Sequence, residues 1–389
     1  MSTGWLRTLV ATALVAASCG SVHGVGTSSI ASSGRTTTYP VPITASSARL
    51  QSPCPSVQPP PPFPASAASN RNLALVTLRG GNQLVVRDIT DITHPTTVST
   101  LGTMRQPQFV SATDLSDDEW RKDVDTLIRM PLGGSPKTSV ASSCDGIIAF
   151  AWSPDGTAAV YLANATDYAT YAASELHLVT GGQNRVISSM PFIGGGCETQ
   201  GCADRSDFRL SYSPDGRFIS LVQSFGGPNF RLWKSDGALL KSNNPGLAYR
   251  MSAWSGNSLY FVDANGVAVW RDGVVSSFLP GVFWLRPKGS PAGGQIVYAA
   301  RDGDGLAHTF VVDTGSGKVR ELNKARAQPA FLTSRYVWYQ GERSCMPADQ
   351  CDPSLPVTAS GKTYIYDLQD GTETESLITG VADVWPHAA

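Results

Sequence analysis

Charge is what this chain has least of. Asp, Glu, Lys and Arg make up 16% of its 389 residues, against about 25% in an average soluble protein. The formal net charge is −1, so no global basic field draws in nucleic acid or an acidic membrane surface. Histidine is scarce too: His23, His94, His177, His308 and His387 form no close pair and no metal-ligand spacing. No Gly-x-Ser-x-Gly elbow occurs, and no residues are left over for a hydrolase domain beside the rest of the chain. Gly315-Ser316-Gly317-Lys318 lacks the remaining positions of a phosphate loop and reads as a hairpin turn. Asp302-Gly303-Asp304-Gly305 lacks the rest of a calcium loop and reads as a solvated turn. Asn164-Ala165-Thr166 is a glycosylation sequon in form only. These absences argue for a chain with no catalytic residue, no metal and no cofactor.

A hydrophobic run long enough to span a bilayer is also missing. Leu9 to Ala17 is apolar but short, and Met1 to Arg7 before it carries one positive charge, the form of a secretory signal over residues 1–18. It ends in Ala16-Ala17-Ser18-Cys19, which resembles the bacterial lipoprotein box, although Ala16 stands where Leu is usual. The resemblance implies diacylation of Cys19, since two acyl chains hold where one is marginal. Without lipidation, simple cleavage and secretion is the alternative. Residues 19–70 are rich in Ser, Thr, Ala, Gly and Pro, with Pro59 to Pro62 leading into Phe63-Pro64. Such a segment buries too little to order itself and reads as a disordered tether. A coil of that length reaches roughly 40 Å.

What the chain has in abundance is turn chemistry, with 38 Gly and 26 Pro. From residue 71 to 389, short runs of β-branched and aromatic residues recur between Gly, Asp, Asn and Pro, among them Leu73 to Leu78, Ile147 to Trp152, Phe218 to Val222 and Thr363 to Leu368. Their length is that of strands. Ser116-Asp117-Asp118-Glu119 has the form of a helix cap, but the preferred reading makes it the loop between paired strands at Phe109 to Leu115 and Thr126 to Leu132. The class is all-β.

Two segments are plainly copies: Phe150 to Val160 and Leu210 to Ser220 share apolar-x-aromatic-Ser-Pro-Asp-Gly-x-x-apolar. In Ser153-Pro154-Asp155-Gly156 and Ser213-Pro214-Asp215-Gly216, Pro fixes φ, Asp bonds its own turn, and Gly supplies positive φ before the next strand. Degraded copies begin at Ser252-Ala253-Trp254-Ser255, at Trp284-Leu285-Arg286-Pro287-Lys288-Gly289 and at Phe331, with a lone start at Val384-Trp385-Pro386. This hairpin resembles the TolB-type, WD-like propeller repeats of bacterial periplasmic and surface proteins. The resemblance implies a propeller with a scaffold or binding role and carries over no catalytic residue. Blades are read near 105–145, 146–205, 206–247, 248–279, 280–327 and 328–379. Residues 73–101 supply three further strands, and the terminal strand at Gly380 to Pro386 completes them, closing a single seven-bladed ring without exposed edges.

With Cys19 set aside, six cysteines remain. The close pairs Cys197–Cys202 and Cys345–Cys351 read as local disulfides, leaving Cys54 for Cys144. A four-cysteine zinc site is the rival, though the spacings are not those of zinc ligands. The leading functional expectation is a monomeric, non-catalytic lipoprotein of the bacterial cell envelope whose propeller face binds a protein or peptide partner. The variable surface is expected in loops 113–126, 163–174, 190–207 and 340–361. A glycan-active enzyme is the alternative; it needs carboxylates such as Asp155, Asp215, Glu175 and Asp313 to converge on the channel. A carbohydrate- or metal-binding module is the third, marked by exposed Trp or Tyr.

Overall fold

The strands toward the middle of each sheet are sandwiched, and the sequence shows it in runs that are apolar on both faces. In a strand, successive side chains point to opposite sides. Leu73 and Leu75 pack into one buried cluster while Ala74 and Val76 pack into another; Ala149 and Ala151 part from Phe150 and Trp152 in the same way. A sheet with both faces covered needs neighbours on both sides, and a ring of sheets provides them.

The computed structural model describes residues 62–63, 65, 70–78, 83–121, 124–144, 146–165, 173–191, 208–223, 230–243, 251–301, 306–342 and 359–387. These form seven four-stranded antiparallel sheets and no helix. Blade 1 comprises Leu73–Leu78, Leu84–Asp88 and Thr96–Leu101, with Ile378–Trp385 as its inner strand. Blade 2 comprises Gln108–Phe109, Asp114–Arg121, Val124–Pro131 and Thr138–Ser143. Blade 3 runs Ile147–Trp152, Ala158–Ala165, Ala173–Thr180, Gln183–Pro191, and blade 4 Phe208–Tyr212, Phe218–Gln223, Phe230–Lys234, Leu239–Asn243. Blade 5 runs Ser252–Ser255, Ser258–Asp263, Gly266–Arg271, Val274–Pro280. Blade 6 follows with Leu285–Gly289, Gln295–Arg301, Ala307–Asp313, Val319–Asn323. Blade 7 ends the series with Arg326–Phe331, Tyr336–Glu342, Ala359–Asp367, Thr372–Ser376.

The chain's last strand closes the ring: Leu73 pairs with Trp385 and Leu75 with Asp383. Each of the seven blade interfaces holds its own apolar cluster. Tryptophans fasten several of them. Trp254 Nε1 donates to Ser211 and Ser220 Oγ at 3.2 Å each, tying blade 5 to blade 4, and Trp338 Nε1 donates to the Ile378 carbonyl at 3.0 Å, tying blade 7 to the closing strand. Burying such a side chain is worth roughly 2–3 kcal/mol.

The two Ser-Pro-Asp-Gly turns are built alike. Ser153 N–H donates to the Ala158 carbonyl and Gly156 N–H to the Ser153 carbonyl, both at 2.8 Å. Ser153 Oγ donates to Asp155 Oδ1 at 2.6 Å and accepts from Ala158 N–H at 2.9 Å. Ser213, Asp215, Gly216 and Phe218 repeat these bonds. Gly156 and Gly216 have φ of 69° and 71°, the left-handed region where glycine is free of strain. Blade 6 carries a third copy that the sequence reading passed over in favour of Trp284. In Ser290-Pro291-Ala292-Gly293, the Ser290 N–H donates to the Gln295 carbonyl and the Gly293 N–H to the Ser290 carbonyl. Ala292 has no carboxylate to brace this turn, and its N–H donates instead to Ser334 Oγ of the next blade at 3.0 Å.

Blade 2 corrects one expectation. Ser116 to Glu119 is strand, not loop, and the hairpin closes between Arg121 and Val124. The carboxylates there are buried: Asp117, Asp118 and Asp125 are 4%, 0% and 0% exposed. They lie inside because partners await them. The Arg105 and Gln106 N–H groups donate to Asp117, the latter at 2.7 Å, and the Ile147 N–H donates to Asp125. The Arg105 guanidinium pairs with Asp118 and Asp125 at 2.9 and 3.3 Å. Burial raises the Asp117 carboxyl above its ordinary range despite those N–H groups.

Cys144 is disulfide-bonded. Cys19, Cys54, Cys197, Cys202, Cys345 and Cys351 lie outside the described residues, as do residues 1–18, Asp302 to Gly305 and most of 19–70. At the end of that last stretch Phe63 meets Trp152 edge-on at 5.4 Å, with the Arg129 guanidinium 4.7 Å over its ring.

Candidate binding channel

The inner strands of all seven blades surround one cavity of about 590 Å3, within the size range of small-ligand sites. Much of its wall is small: Ala149, Ala151, Ser211, Ala253 and Ala330. Short side chains on the inner strands keep the axis of the ring open. Toward the Ser-Pro turns the lining changes to Trp152, Tyr212 and Trp254, with Pro154, Pro214 and Pro291 beyond them. The predicted turn residues Pro154, Ser213 and Pro214 therefore border the cavity, while Asp155 and Asp215 spend their carboxylates inside their own turns.

The two longest connections, 192–207 and 343–358, belong to the opposite end. Antiparallel pairing makes the second and third strands of a blade meet there, and one blade passes to the next there as well. The strands bounding 166–172, 192–207, 224–229, 244–250 and 343–358 all end on that side. Three of the four loops expected to vary join strands there; the fourth, 113–126, is mostly strand, the paired second and third strands of blade 2 that meet at the same end.

Polar chemistry in the channel comes from residues that the sequence did not single out. Arg209 of blade 4, Lys288 of blade 6, Asp383 of blade 1 and His387 just beyond it all line the cavity, with Gln106 and Gln108. Asp383 accepts the Phe109 N–H at 2.7 Å and contacts His387 Nε2 at 3.0 Å. Their side chains remain partly open to solvent, 22% for Asp383 and 39% for His387. Burial alone would raise the Asp383 carboxyl; His387, the Phe109 N–H and Lys288 outweigh it and hold it low. Asp383 in turn lifts His387 against the effect of burial. The Arg209 guanidinium, then burial, pull the Lys288 ammonium down to about 7, with Asp383 opposing. Burial also lowers Arg209.

Neither Arg209 nor Lys288 makes an ion pair or side-chain hydrogen bond with a described residue. Three polar atoms in the lining also lack a partner: Gln106 Nε2, Trp152 Nε1 and the Tyr212 hydroxyl. Gln108 Nε2 donates to the Phe150 carbonyl and is satisfied. Burial, with Asp155 adding, pushes the Tyr212 phenol above its ordinary range, so it keeps its proton and can donate.

The four carboxylates named as an alternative catalytic set do not converge. Glu175 faces His177 in blade 3 and Asp313 braces the turn to Ser316 in blade 6; none of the four lines the cavity. His308 is buried against Glu321 at 3.0 Å, away from the channel. Among the described residues no group of three His, Cys, Asp or Glu side chains is placed to hold a metal ion.

No family model matches the chain, and no curated protein matches it. TolB from Acinetobacter baumannii shares 15% identity over 80% of this chain and 79% of its own, with a TM-score of 0.40. A structure of prolyl endopeptidases shares 13% identity over 81% of this chain, with a TM-score of 0.54. The propeller domain of the Trilobed protease from Pyrococcus furiosus shares 12% over 70% of this chain and 82% of its own, TM-score 0.47. The chain is a seven-bladed β-propeller. At these identities the likeness bears on the fold alone, and the chain spans about half (49%) of the prolyl endopeptidase.

Proposed function

We propose that this protein is an exported, lipid-anchored binding propeller of the bacterial cell envelope, and that it takes a protein or peptide partner at the Ser-Pro end of its channel without chemical turnover. The observation that carries the reading is the cavity of about 590 Å3 whose lining keeps unpartnered polar groups beside apolar and aromatic ones. A peptide supplies both kinds of complement, backbone acceptors and side chains. A flat sugar-stacking platform is less well served, because Trp152, Tyr212 and Trp254 are 5%, 9% and 6% exposed and sit edge-deep between blades. The anchor at Cys19 and the tether of residues 19–70 belong to this proposal and rest on the sequence.

Photo-crosslinking tests it. A benzoylphenylalanine replacing exposed, channel-lining Ala382 is expected to capture a polypeptide from envelope extract, identified by mass spectrometry, while the same group at Val274 on an outer strand captures none. Capture at Val274 alone, or of a glycan at Ala382, contradicts the reading.

A further inference from the structure

The channel lining sets Arg209, Lys288 and His387 beside one carboxylate, Asp383, and that carboxylate is already engaged. Asp383 serves the Phe109 N–H and His387, so its influence on Arg209 and Lys288 is exerted through space rather than in a bond. Arg209 and Lys288 come from different blades yet line the same cavity, and the Arg209 charge bears on Lys288. Folding gains nothing from that arrangement: charges taken from water are normally paired, and like charges held together cost stability. The partnerless groups in the same lining, Gln106 Nε2, Trp152 Nε1 and the Tyr212 hydroxyl, are all able to donate. A cavity with surplus positive charge and surplus donors lacks an acceptor-rich anion.

We propose that the channel is a carboxylate site, in which Arg209 and Lys288 together hold the acidic group of a peptide that enters from the Ser-Pro end. The proposal rests on the peptide-binding reading above and adds to it the chemical class of the ligand. A guanidinium presents a planar fork that fits a carboxylate in two parallel bonds, and an ammonium completes the charge as a point donor. The small wall of Ala149, Ala151, Ala253 and Ala330 leaves the room that such a chain needs. The carboxylate has two sources, an acidic side chain or the peptide's own C-terminus, and the same chemistry serves either.

Calorimetric titration of the full-length protein with short synthetic peptides decides the matter. The probes are acetyl-Ala-Glu-Glu-Ala-amide, its glutamine counterpart, tetra-alanine with a free carboxyl, its amide, and inorganic phosphate. At least one carboxylate-bearing peptide is expected to bind, its neutral counterpart not, and added salt should weaken the binding. Binding of the glutamate peptide assigns the side chain as source; binding of free tetra-alanine assigns the chain end. Arg209→Met and Lys288→Met should each weaken affinity about tenfold, the scale of one charge-assisted contact, with circular dichroism confirming an intact fold. Equal binding of acidic and neutral peptides, equal binding by the variants, or phosphate binding as tightly as the peptides overturns the carboxylate site but leaves the channel as a peptide site. Failure of every peptide to bind overturns the site too, and joined to failed capture at Ala382 it takes the peptide reading with it.

Discussion

Two groups of charge in this molecule, one buried and one half-buried along the channel, obey opposite rules. In blade 2, Arg105 answers Asp118 and Asp125, and backbone N–H groups answer Asp117. In the channel, Arg209 and Lys288 line one cavity with a single carboxylate that is engaged elsewhere. In the first group each carboxylate has a partner, though Asp118 Oδ1 itself takes no hydrogen bond, and Arg105 ties the short inner strand of blade 2 to the rest of its sheet. The second is incomplete, and no ion pair among the described residues explains why it is kept. Charge that is paired inside a fold serves the fold; charge left unpaired along a cavity points to something that visits the cavity.

The comparison breaks if the two groups respond alike to mutation. Arg105→Met removes a cation from beside two fully buried carboxylates and should cost about 3 kcal/mol, at the low end for a broken buried pair because Arg105 itself is 41% exposed. Urea denaturation read by tryptophan fluorescence measures it; a loss near zero would mean that the blade 2 cluster is not structural. Asp383→Asn keeps an acceptor for the Phe109 N–H but removes the one negative charge near Arg209 and Lys288. It should cost about 1–2 kcal/mol, and adding Lys288→Met to it should recover part of that loss. No recovery would separate Asp383 from the cations.

The ring was legible in the sequence because its turns are local. Ser-Pro-Asp-Gly fixes a hairpin with four adjacent residues, and the three strands of residues 73–101, one short of a blade, called for the terminal strand at Gly380 to Pro386. The third copy was harder to see, since Ala292 replaces the Asp and its brace comes from Ser334, in another blade. The acidic stretch of blade 2 was misread because Asp and Glu in a row signal solvent unless the partner is known, and Arg105 lies outside the hairpin. The channel was beyond reach for a related reason. Arg209, Lys288 and Asp383 stand in three separate blades, and each alone reads as an ordinary polar residue in a strand. Only the ring brings them to one cavity.

Thermal melting of Lys288→Met beside the unaltered protein, across pH, tests the claim most directly that the channel cations are held against the fold's interest. The groups that act on Lys288 are Arg209, Arg286 and Asp383, with His387 next to Asp383. In the folded protein Lys288 titrates near 7, against 10.5 in the unfolded chain. Below about 7 the ammonium is charged in both states, so the variant should melt higher by its full margin. Between about 7 and 10.5 the unfolded chain alone keeps the proton, so the stability of the unaltered protein rises with pH and the margin should close. A variant that melts lower at pH 6, or a margin that stays constant to pH 10, would show that Lys288 is part of the scaffold and contradict the account.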